Sequence, residues 1–132
     1  GTYSPSTNGE SFPIIMISNV NLIGQGEEVT IIDAEQTGRV IRMAYCENNV
    51  ISGVTITGGL AEGEYPGYYG GGIYLFSSNP TLTHVTIVNN TANSGGGMTL
   101  SSSNPTLTNV TIANNTADWS GGGMALFSSN PT

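Results

Sequence analysis

The residues best suited to chemistry lie together in Glu62-Gly63-Glu64-Tyr65-Pro66-Gly67-Tyr68-Tyr69, with Tyr74 just beyond. Two carboxylates one residue apart could accept hydrogen bonds from sugar hydroxyls or ligate calcium, although nothing else in the chain points to a bound cation. Tyrosine rings offer flat apolar area with a polar handle, which suits binding at a wet surface. Glu62, Glu64, Tyr65, Tyr68, Tyr69 and Tyr74 therefore form the candidate ligand-binding set. No catalytic or metal-binding residue is assigned. Cleaving a glycosidic bond takes two carboxyl groups at a defined separation. The only aspartates are Asp33 and Asp118, far apart in the chain. Glu27-Glu28 reads as a solvated turn. Asp33 and Glu35 are expected to pair with nearby Arg39, and Arg42 to meet Tyr74 one coil away as a cation–π contact.

These residues interrupt a repeat. Ser77–Ala92 reads SSNPTLTHVTIVNNTA and Ser102–Ala117 reads SSNPTLTNVTIANNTA. Gly70, Gly95 and Gly121 open glycine triplets 25 and then 26 residues apart. Such periods indicate stacked architecture. Each unit carries short runs alternating at period two, Met98-Thr99-Leu100, Thr106-Leu107-Thr108 and Val110-Thr111-Ile112, the signal of strands. Ser-Ser-Asn-Pro, Asn-Asn and Gly-Gly-Gly stand between the runs as turn formers. The pattern predicts an all-β parallel β-helix of four to five coils, right-handed by the general preference for right-handed crossovers. Its inward columns are Ile73/Met98/Met124, Leu75/Leu100/Leu126, Leu82/Leu107, Val85/Val110, Ile87/Ile112 and Ala92/Ala117. Ile51, Val54, Ile56 and Ala61 extend them upstream, and Ile17 is placed in the Leu82 column. Asn90 and Asn115 are expected to stack as an amide ladder at a turn. The outward threonines form ranks resembling the ice-binding faces of β-helical antifreeze proteins.

Composition narrows the partners. The chain of 132 residues reads as one domain, with longer degenerate coils over 1–69 and regular coils over 70–132. Net charge is -7, there is no lysine, and Arg39 and Arg42 are the only basic residues. Nucleic-acid binding needs cations against phosphate and is excluded on that ground. No apolar run reaches the length of a membrane span. Cys46 is alone, so it forms no disulfide framework and reads as a buried thiol.

Two resemblances follow from these motifs. Ile87-Val88-Asn89-Asn90-Thr91-Ala92 followed by Gly95-Gly96-Gly97-Met98 resembles the FxxN…GGA[ILV] repeat of chlamydial polymorphic membrane proteins. Ile87 stands at the Phe position, Gly97 at the Ala position, and Asn90 and Asn115 at the Asn position. Gly1-Thr2-Tyr3, Val20–Gly26 and Thr30–Asp33 resemble the early coils of bacterial pectin-lyase-like β-helices, without the amphipathic cap that often precedes them. The resemblance implies an extracellular or cell-surface bacterial protein. It spans lyases, hydrolases, epimerases and adhesins, so function must come from the site. Lyases of this kind use acids clustered on adjacent coils with calcium, and no acid recurs in a column here. The expected function is a non-enzymatic stalk or adhesive surface for polysaccharide or cell-surface glycan. The alternative is a fragment of a polysaccharide lyase or glycoside hydrolase. Both ends are expected to be bare, the C-terminal one above all, which would allow end-to-end self-association.

Overall fold

The computed structural model describes all 132 residues. In chain order the elements are β1 (Thr2–Tyr3), α1 (Pro5–Asn8), β2 (Ile14–Ile15), β3 (Leu22–Ile23), β4 (Ile31–Asp33), β5 (Ile41–Ala44) and β6 (Val50–Thr57). There follow β7 (Leu60–Ala61), β8 (Ile73–Phe76), β9 (Thr81–Val88), β10 (Thr91–Ser94), β11 (Met98–Ser101), β12 (Thr106–Ala113), β13 (Thr116–Ser120) and β14 (Met124–Phe127). Every paired strand is parallel to its neighbour. Three sheets run along the molecule: β1-β4-β6-β9-β12 with β3 beside β6, then β7-β10-β13, then β2-β5-β8-β11-β14. From β6 onward each turn of chain contributes one strand to each sheet, while the earlier turns supply only the first and third sheets; this is a parallel β-helix.

The predicted columns are the observed registers. Ile73, Met98 and Met124 align, as do Leu75, Leu100 and Leu126. Leu82 faces Leu107 and Ile51, Val85 faces Val110 and Val54, and Ile87 faces Ile112 and Ile56. Ile41, Ile51, Ile56, Ile73, Leu75, Leu82, Ile87, Met98 and Leu100 are sealed from solvent. They form one core down the axis. In the last rung Leu107, Val110, Ile112 and Met124 are partly buried, and Leu126 is exposed.

The corners explain the repeat's odd residues. Leu82 and Val85 both point inward although three positions apart. The intervening His84 takes φ 52°, Asn109 matches it at 52°, and Gly53 stands one rung below at 65°. Small or amide-bearing residues tolerate this left-handed corner best. It bends each long strand in two, so the Thr83/Thr108 and Thr86/Thr111 ranks stand on either side of a bend. At the triplets, Gly95 has φ 68°, and a Cβ on Gly96 would lie 2.3 Å from the Thr116 carbonyl oxygen and 2.6 Å from that of Gly122. Only glycine allows backbones to pass that closely.

Polar ladders close the other corners. Asn90 is fully buried. Its Oδ1 accepts from the Gly59 N–H at 2.8 Å, and its Nδ2 donates to the Ile56 and Val88 carbonyls at 3.1 and 3.0 Å. Asn115 continues the ladder, accepting from the Asn90 N–H at 3.0 Å and donating to Ile87 O at 2.8 Å. A hydroxyl ladder closes the corner at the other end of β9 and β12: the Cys46 N–H donates to Ser78 Oγ, Ser78 N–H to Ser103 Oγ, and Ser103 N–H to Ser129 Oγ. Cys46 is buried as the first member, its thiol donating to Met16 O.

Three expectations change. Ile17 is exposed, and Leu22 is the residue that faces Ile51. Asn49 causes the slip: its Nδ2 donates to both Ile17 O and Val20 O, turning Ile17–Val20 into a corner. The extra length of the first coil instead lies in the Gly24–Thr30 loop, where later coils have a single left-handed residue. Arg39 does not pair with Asp33 or Glu35. Asp33 Oδ1 accepts the Glu35 N–H at 2.8 Å, and Glu35 accepts from Ser4 Oγ at 2.9 Å, Ser6 N–H at 3.1 Å and the Ser6 hydroxyl. These bonds show the third change, since the N-terminal end is not bare. There β1 pairs with β4, and α1, capped by Ser4, is tied to Glu35.

Two outcomes test this fold. Asn90→Ala strands several buried backbone groups and is expected to cost about 2–4 kcal/mol in urea unfolding. Asn115→Ala, in the more open last rung, should cost clearly less; equal losses would contradict the ladder. Second, the Ser6 and then Ser4 hydroxyls hold the Glu35 carboxyl below its ordinary value of 4.5. The tether is therefore complete above that pH and lost as pH falls through the lower, folded value. Ser4 and Ser6 amide shifts should report its release in acid, and Glu35→Gln should abolish that titration.

Candidate functional site

The candidate loop grows from the repeat by insertion. Ile51 to Leu82 spans 31 residues, whereas Leu82 to Leu107 spans 25. The six extra residues fall between β7 and the first glycine triplet. Where β10 runs from Ala92 through Asn93-Ser94 to Gly95, this coil detours through Glu62–Tyr69. The detour returns to the ladder at Tyr68, whose carbonyl accepts from the Asn93 and Ser94 N–H groups. A turn inside it is closed by Gly67 N–H to Glu64 O and Tyr69 N–H to Pro66 O.

The loop lies over the outer face of the β2-β5-β8-β11-β14 sheet. Tyr74, on β8, is its floor and is only 2% exposed. Burial raises the Tyr74 hydroxyl above the usual phenol range, while a hydrogen bond from the Ser101 side chain opposes the rise. Tyr69 packs on Tyr74 with ring centres 5.8 Å apart. Burial, then the neighbouring Tyr68 hydroxyl, raises the Tyr69 phenol as well. Tyr65 meets Tyr68 and Tyr69 edge-to-face at 6.1 and 5.7 Å, and Tyr68 meets Tyr69 at 4.6 Å.

Two further rings complete the cluster, and the repeat pattern did not single them out. Trp119 on β13 lies 5.0 Å from Tyr68, and Phe127 on β14 lies 5.3 Å from Tyr69. Trp119 breaks the repeat, occupying the segment where the coil before has Asn93-Ser94, whereas Phe127 repeats Phe76 two rungs away in the column that passes through Ser101. An aromatic at Trp119 in place of small polar residues is the signal in the sequence. Tyr65, Trp119 and Phe127 are 67%, 65% and 41% exposed. The result is an aromatic face drawn from the loop, β13 and β14 and open to solvent. Tyr45, another exposed ring, packs edge-to-face on Phe76 at 5.2 Å.

The acids of the loop go elsewhere. Glu64 is exposed in the turn. Glu62 lines a groove of about 450 Å³ on the loop's far flank, with Gln36, Thr37, Arg39 and Pro66. Arg39 holds the loop from beneath: its Nη2 donates to Pro66 O at 2.9 Å and Gly67 O at 3.0 Å. Its guanidinium carbon sits 4.9 Å from the centre of the Tyr74 ring. The expected cation–π contact thus exists, but Arg39 supplies it; Arg42 is only the register partner of Tyr74. Burial pulls the Arg39 guanidinium down to about 10, which leaves it charged at neutral pH. No three His, Cys, Asp or Glu side chains gather to hold a metal ion.

Stacked parallel rungs paired strand on strand through three sheets define a β-helix domain. Residues 14–132 match the family model described as "Right handed beta helix region", and the chain belongs to that family. The match also gives the coil its hand. No curated protein and no solved structure matches the chain. No helix is long and apolar enough to cross a membrane.

Tyr74 links floor, clamp and loop. Tyr74→Ala is expected to cost about 3–4 kcal/mol, in the range of large aromatic truncations. It should also accelerate amide exchange across Glu62–Tyr69 while β9 and β12 stay protected. Unchanged exchange in the loop would mean that Tyr74 does not support it.

Proposed function

We propose that this chain is a non-enzymatic, extracellular β-helix domain that binds glycan on the aromatic face of Tyr65, Tyr68, Tyr69, Trp119 and Phe127. One observation carries the reading: rings from the loop, β13 and β14 converge on one outer surface, and three of them stay substantially exposed. Exposed aromatic area is costly to maintain in water unless something covers it. Pyranose rings present apolar C–H faces that match such rings, and tyrosine hydroxyls serve their polar rims. The parallel rungs beneath hold the rings in place, so binding loses little entropy to ordering the site. Glu64, next to Tyr65 in the chain, is exposed and free to accept from sugar hydroxyls.

The test is binding to immobilised oligosaccharides with turnover followed in parallel. Saturable binding without product is expected, weakened about tenfold or more by Trp119→Ala and by Tyr65→Ala, with unfolding midpoints unchanged within error. Release of unsaturated or reducing-end sugars, lost in Glu64→Gln, would instead establish the carbohydrate-active enzyme fragment.

A further inference from the structure

We propose that the groove on the far flank of the loop is an oxyanion site, in which Arg39 takes a carboxylate or sulfate group. Arg39 is 8% exposed, and no carboxylate is among the charged groups that act on it; those are Tyr74 and Arg42. A guanidinium carries five N–H donors in a fixed fork. Two bonds from Nη2 hold the Pro66 and Gly67 carbonyls. The three donors on Nε and Nη1 have no protein partner.

Those donors are not walled in. The only side-chain nitrogen or oxygen both sealed from water and unpaired is Asn49 Oδ1. The free Arg39 donors are therefore open to solvent, and Arg39 lines the groove, whose volume of about 450 Å³ would admit a small oxyanion and part of the molecule bearing it. Clamping the loop needs only neutral donors, whereas a buried cation without a counter-ion carries a desolvation cost. Planar paired donors suit carboxylate and sulfate in particular. Gln36 and Thr37 stand on the groove wall as further polar groups. Glu62 stands there too, and its charge opposes an anion, so it tunes the site toward weaker binding.

The site does not require the aromatic face to bind glycan. A free anion and an anionic group carried on an oligosaccharide present the same chemistry to Arg39. The chain offers an internal control, because Arg39 and Arg42 are its only arginines and it has no lysine. The experiment follows both Nε–H resonances during titration with sodium sulfate and sodium acetate, against sodium chloride at matched ionic strength. Sulfated, carboxylated and neutral hexasaccharides form further arms. A saturable shift at Arg39 and none at Arg42 is expected. Glu62→Gln should lower the half-saturating concentration about fivefold, by removing a nearby like charge. Arg39→Met should abolish the effect; if that variant fails to fold, the Arg39 shift together with Glu62→Gln decides. Saturation by the free salts identifies a small-ion site, and saturation only by charged hexasaccharides identifies a glycan-borne group. Equal drift at both arginines, the same response to chloride, or no effect of Glu62→Gln would overturn the proposal and leave Arg39 as a clamp only. Binding of the neutral hexasaccharide without an Arg39 shift would keep the aromatic-face reading and remove this one.

Discussion

Everything in this molecule depends on rung-to-rung register. Parallel strands one coil apart lie roughly 4.8 Å from one another, so equivalent residues must stack like on like. That spacing is forgiving for Ile, Leu and Val, which form continuous columns. It is unforgiving at corners, where each backbone polar group needs a partner in the next coil. Asn90 and Asn115, Ser78, Ser103 and Ser129, and the glycine triplets are the solutions. A single slipped rung would move whole columns to the wrong face.

This constraint explains what could be read from sequence. Columns such as Leu82/Leu107 and Ile87/Ile112 were legible because near-identical blocks fix the alignment. The first coil was not, because Ile17 and Leu22 are both apolar residues five positions apart. Choosing between them required knowing that Asn49 reaches back to two carbonyls, a contact between coils that no local pattern encodes. The short helix Pro5–Asn8 was missed for a related reason: its anchor is Glu35, in a different coil.

The candidate site was half legible. The insertion stood out as a break in the period, and Tyr65, Tyr68, Tyr69 and Tyr74 do come together. Tyr74 proved to be the floor and not part of the surface. Trp119 and Phe127 lie about two coils away in sequence, yet stacking brings them beside the loop. Arg39 bonds carbonyls that lie near it in space, 27 and 28 residues away, and not the acids that lie near it in sequence. A solenoid converts distance along the chain into neighbours along its axis, and charged residues outside the repeat cannot be placed by period alone.

The loop is therefore an excursion held by the repeat: Tyr74 and Arg39 beneath it, and Trp119 with Phe127 against its rings. The central claim is that this assembled face meets ligand. Trp119 is the only tryptophan in the chain, so its intrinsic emission reports on the face alone. Titration with a bound oligosaccharide should shift and saturate that emission at the concentration where binding saturates. Binding that saturates while Trp119 emission stays constant would place the ligand elsewhere and contradict the account.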